Sequence, residues 1–124
     1  MKTLFTFLSL LILISCSARA SEKVAAPSAP TPPELATGES LYNDNCARCH
    51  GARGVGTKFG PPFLNKIYEP SHHGDQSFLL AVRRGAKAHH WNFGNMPPYP
   101  HLSEQDVGEI VKYVRWLQRQ AGIF

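Results

Sequence analysis

One short run constrains this chain more than any other feature: Cys46-Ala47-Arg48-Cys49-His50. On a helical turn, two residues three apart share a face, so both thiols reach in one direction. His50 follows at once and sets an imidazole beside them. A disulfide between the two cysteines would close a very small loop and brace little of a fold. A structural zinc site wants four ligands, and the sequence offers no second cysteine pair. A thioredoxin-like redox pair sits between a strand and a helix, whereas here a helical pattern precedes the run and a glycine-rich stretch follows. The reading that uses all three side chains is haem attachment. Cys46 and Cys49 supply two thioethers, and His50 lies under the iron.

The pattern of the rest is all-α. Thr37 or Gly38 opens a helix marked by Leu41 and Tyr42, which runs into Cys46. A second helix is expected over Asp75–Arg84, with Asp75 as cap, Phe78, Leu79 and Val82 on one face, and Gly85 as the stop. The third is the clearest. Ser103 and Asp106 have the spacing of a capping box, and Val107, Ile110, Val111, Val114 and Leu117 recur at helical steps. Lys112, Arg115 and Arg119 fall off that stripe and read as a solvated face. Between the helices lie two irregular tracts, "GARGVGTKFGPPFLNK" and "GAKAHHWNFGNMPPYPH", with no alternation that suits a sheet. Long loops in so small a domain need something to wrap, and one covalently bound haem c is the expected object.

Ahead of the domain, Lys2 and the apolar run Leu4–Ile14 lead to Ala18-Arg19-Ala20, the pattern of an export signal over residues 1–20. The run is too short to span a bilayer, which takes about 20 apolar residues. A second reading competes: "LISC" resembles a lipoprotein signal, 1–15, with Cys16 lipidated as the new N-terminus. Residues 21–36, with Pro27, Pro30, Pro32 and Pro33 among alanines, read as a Pro/Ala-rich linker from which no core is built. The domain proper is 37–124. The expected location is the periplasm or elsewhere outside the cytoplasmic membrane, with any membrane attachment through Cys16 alone. Lys2 and Arg19 leave with the signal, so a formal charge of +4 falls by two. That excess is far too small for a nucleic-acid binder.

Met96 is the only methionine besides Met1, and it sits in "GNMPPYP", too broken for a regular element. Methionine as core filler belongs on a helix or strand. These elements together resemble the class I c-type cytochromes, monohaem and all-helical, over 37–124. "GESLYNDNCARCHG" is similar to that family's first helix, with Gly38 and Tyr42 packing on the last. "FGPPFL" resembles the turn in which a proline carbonyl, here that of Pro61, accepts the imidazole N–H. "NMPP" resembles the distal loop, and "LSEQDVGEIVKYVRWLQ" the C-terminal helix, with Tyr113 as aromatic contact.

The resemblance implies a sixth iron ligand from Met96 opposite His50. It implies a small cytochrome c fold of about three main helices that shuttles single electrons and is no enzyme by itself. A thioether favours ferrous iron and raises the potential. A donor and an acceptor protein would be its partners, met as a monomer.

His72, His73, His89, His90 and His101 are not required by the family pattern. They read as loop residues, as substitute iron ligands for Met96, or, in the paired positions, as a copper site. Lys58, Arg83, Arg84 and Lys87 are candidates for a basic patch steering an acidic partner. Trp91, Asn92, Phe93, Asn95 and Tyr99 are candidates for the haem pocket. A haem sensor or enzyme component with an open sixth position, or a copper-handling protein, are the competing functions.

Overall fold

The computed structural model describes residues 25–124. The export signal, the alternative lipid on Cys16 and the start of the linker lie outside the described residues. Four helices follow in order: α1 (Ala36–Asn45), α2 (Ala47–His50), α3 (Asp75–Arg84) and α4 (Glu104–Gln120). Single 3-10 turns stand at Pro33–Leu35, Ala52–Gly54 and Lys66–Tyr68. Among the described residues there is no strand, only an isolated bridge between Ala86 and Met96. The fold is the small all-α type that the sequence led us to expect.

Helix α4 is the spine. Ser103 caps it with both halves of a capping box: its hydroxyl accepts from the Asp106 N–H, and its own N–H donates to the Asp106 carboxylate. The expected stripe is buried throughout, and Tyr113 is fully enclosed. On one side α4 crosses α1. A Cβ at Gly38 would stand 2.2 Å from the Glu109 carbonyl oxygen, so only glycine lets the two backbones approach this closely. Tyr42 and Tyr113 meet across the crossing with ring centroids 5.5 Å apart. On the other side Val107 and Val111 pack against Val82 of α3.

Three expectations change. Arg115 is not on a solvated face: it is only 7% exposed. Its guanidinium donates to the Asp75 carboxylate, to the Tyr68 and His73 carbonyls and to Gln118. A fork of five donors suits a site where several backbone carbonyls converge, and pattern reading has no view of carbonyls from another loop. Asp75, in turn, is the first residue of α3 and not its cap, which is Gly74. Its carboxylate is taken by Arg115.

The third change concerns the linker. Arg53 Nε and Nη2 donate to the Pro27 and Ala29 carbonyls at 2.9 and 2.7 Å, and Thr31 donates to Glu39 at 2.6 Å. Residues 27–36 therefore lie against the domain. Leu35 and Ala29, partly buried, pack against its core, and α1 begins at Ala36.

Candidate haem site

Helix α1 runs almost straight into α2, and this short turn carries Cys46, Cys49 and His50. The Tyr42 hydroxyl ties the turn down from inside, donating to the Gly51 carbonyl at 2.8 Å. Beyond His50 the chain folds back tightly. The Gly56 N–H reaches the His50 carbonyl at 2.6 Å, and Thr57 Oγ1 reaches that of Cys49 at 2.6 Å. A side chain at Gly60 would stand 2.9 Å from the Cys49 carbonyl oxygen. The glycines of this tract thus let the 51–60 loop lie on the helical turn.

His50 is 8% exposed, and its Nδ1 lies 2.9 Å from the Pro61 carbonyl. The ring stacks on Phe63, centroids 4.1 Å apart and planes at 17°. Burial pushes the imidazole below its ordinary pKa, the Pro61 bond opposing. The ring is neutral at pH 7, with Nδ1–H donated to Pro61 and Nε2 free for a metal. Cys46 and Cys49 form no disulfide, and both are partly exposed. Before attachment to a haem, burial, and then the neighbouring Cys49, push the Cys46 thiol up to about 11.

The opposite wall is the loop between α3 and α4. It is held by its backbone. Ala86 and Met96 exchange N–H···O bonds of 3.0 and 2.9 Å, the Tyr99 N–H donates to the Val82 carbonyl at 2.7 Å, and Ala88 N–H donates to Asn95 Oδ1 at 3.0 Å. Gly85, at φ +74°, makes the turn out of α3, and a Cβ there would stand 2.6 Å from the Met96 carbonyl oxygen.

Between the walls are two cavities of about 390 and about 590 Å³, within the range of pockets that hold small molecules and cofactors. They share walls from His50, Pro61, Val82 and Met96 and so make one cleft. Cys46 and Cys49 line the smaller part. Two thiols, an imidazole with one nitrogen already bonded and a thioether are a donor set that fits a haem.

The sequence model of the cytochrome c family matches residues 35–118. This chain belongs to the cytochrome c family. Among curated relatives, the cytochrome is 32% identical over 88 residues to the Cbb3-type cytochrome c oxidase subunit CcoP of Rubrivivax gelatinosus. It is 30% identical over 95 residues to cytochrome c oxidase subunit 2 of Alkalihalophilus pseudofirmus. These matches take in 69% and 72% of the cytochrome, but 27% of each relative, so the chain spans about a quarter of their length. The family binds haem c covalently, and Cys46 and Cys49 stand in the spacing that this attachment uses.

The remaining candidates divide. Phe93, Asn95 and Tyr99 line the smaller cavity with Met96, and Trp91 lines the larger; Asn92 lines neither. The basic residues do not form one patch. Arg83 is paired with Glu104, and Lys58 lies over the Phe59 ring, whereas Arg84 and Lys87 border the larger cavity. His101 stands apart, with Nε2 2.9 Å from Asn45 Oδ1. His72, His73, His89 and His90 come together from two loops, with ring centroids 4.3–5.8 Å apart. No helix among the described residues is long and apolar enough to cross a membrane.

Phe63 and Ala86 are the site residues that sequence reasoning missed. "FGPPFL" marked the turn but gave Phe63 no role, and a lone backbone bridge at Ala86 leaves no sequence signal.

Proposed function

We propose that this cytochrome is an exported one-electron carrier whose haem c is fixed by Cys46 and Cys49 and ligated by His50 and Met96. The observation that carries the reading is the shared cleft: a buried, oriented imidazole on one wall and the chain's single internal thioether on the other. The haem, when bound, supplies a ferric/ferrous couple. Pro61 holds the His50 tautomer that leaves Nε2 toward the iron, and Phe63 fixes the plane of the ring. The Ala86 bridge, with Pro97 and Pro98 behind it, holds the Met96 backbone, limiting the movement that accompanies a change of charge. If His50 and Met96 both hold the iron, they would leave no place there for a substrate, and this domain would carry electrons and leave chemistry to its partners.

Exchange takes place at the open edge of the cleft. Phe59 and Phe93 are exposed there, at 59% and 38%, and give a small apolar contact suited to brief docking. The named relatives are oxidase subunits, which supports a larger redox protein as donor or acceptor.

The test is the optical spectrum of the ferric holoprotein beside its Met96→Ala variant. A weak far-red sulfur-to-iron band in the parent, missing from the variant, is the expected result. If the parent lacks the band, Met96 is not the ligand and the carrier reading loses its basis.

A further inference from the structure

We propose that His72, His73 and His90 form a site for a divalent transition-metal ion, Zn²⁺ or Cu²⁺, beside the larger cavity, whose lining His73 and His90 also join. One ring nitrogen of each of these residues lies within 4.8 Å of the others. Imidazole is a borderline-soft ligand that suits these two ions. Three such ligands leave a position for water. His89, with its ring centroid 4.3 Å from that of His90, stands beside the trio as the nearest further imidazole.

Neighbouring histidines on solvated loops are common, so the support around these rings is what separates a site from a coincidence. His73 Nδ1 lies 2.6 Å from the Ile67 carbonyl. It donates its proton there and leaves Nε2 as the free donor atom, the arrangement that orients metal-binding histidines. The backbone under the pair is also fixed. The N–H groups of His72 and His73 both reach the Glu69 carbonyl, at 3.0 and 2.8 Å, and the His73 carbonyl accepts from the buried Arg115. Arg115 thereby anchors the first half of the site to α4.

The second half comes from the loop that carries Met96. The Ala86–Met96 bridge and the Ala88–Asn95 bond close that loop around His89 and His90. Trp91 braces it from within, stacked on Tyr68 at 5.8 Å and 13°. A bound cation would therefore join the 66–74 segment to the Met96 loop. The site needs all three imidazoles free of the haem iron, and so rests on Met96 as the sixth ligand.

The experiment uses the haem-loaded chain, titrated separately with Zn²⁺ and Cu²⁺, with metal content measured after dialysis. The comparison is with His72→Gln, His90→Asn and the double variant, all at exposed positions, and with His101→Ala as a control. The haem spectrum reports that each variant is folded. We expect one ion per chain, a thermal midpoint that rises with metal, and binding at least ~10–100-fold weaker in each single variant, since losing a ligand weakens binding no less than losing a supporting bond. The His101→Ala variant should bind like the parent. Absence of binding in the parent, or binding unchanged in the double variant, overturns the site. Equal loss in His101→Ala also overturns it, because it makes the uptake non-specific.

Discussion

The two walls of the cleft are built by different means. The His50 wall is side-chain construction: a buried ring bonded at Nδ1, stacked on Phe63, and sealed beneath by Tyr42. The Met96 wall is mainly backbone construction, an isolated bridge and a positive-φ glycine helped by the Asn95 side chain, with the methionine itself half-buried. The first wall therefore belongs to the core and should share its stability, while the second, whose Met96 packs only at the margin of the core, is expected to open at lower cost. A change on the first wall should be felt as lost stability. A change on the second should be felt at the iron.

Phe63→Ala attacks the first wall and should have the largest effect. Phe63 is 8% exposed and touches Tyr42, His50, Tyr68 and Phe78. Truncating a buried phenylalanine to alanine costs about 3–5 kcal/mol. Denaturant unfolding of the holoprotein should show that loss, while the far-red band persists in the folded fraction. Loss of the band with little loss of stability would reverse the comparison.

Gly85→Ala attacks the second wall. At φ +74° alanine is strained, and its Cβ would meet the Met96 carbonyl, a backbone atom that must move. Strain of this kind is worth about 1–3 kcal/mol. The stability loss should be smaller than for Phe63→Ala. The far-red band should weaken or shift, with the haem still covalently attached. An unaltered band would mean that the bridge does not position Met96.

The same division explains what could be read from the sequence. The α4 stripe, the Ser103 box and the Gly85 stop are local signals, and each is present as expected. The Gly38–Tyr42 face could be matched through its resemblance to known cytochromes, and it packs on Tyr113. Arg115 was misread because its partners, the Tyr68 and His73 carbonyls, come from a loop far away in sequence. Arg53 holds the proline-rich segment in the same way, through carbonyls that any residue could provide. The histidine cluster is legible as two pairs, but their meeting depends on where α3 returns the chain.

The smallest effect is at the far anchor of the Met96 loop, where the chain enters α4. The Asp106 carboxylate accepts from the Ser103 hydroxyl at 2.6 Å and from the Ser103 N–H at 2.9 Å. These bonds, the hydroxyl first, hold its carboxyl below the usual range. A lowered folded-state pKa means that the charged form favours the fold. That contribution is complete above the unfolded value, about 3.9, and is lost as pH falls through the folded value. Unfolding midpoints of the parent and Asp106→Asn should thus differ by a constant, small amount near neutrality and converge on acidification. A gap that stays the same through the acid range would show that the box works by shape alone. The charge on Asp106 would then have no part in anchoring the loop.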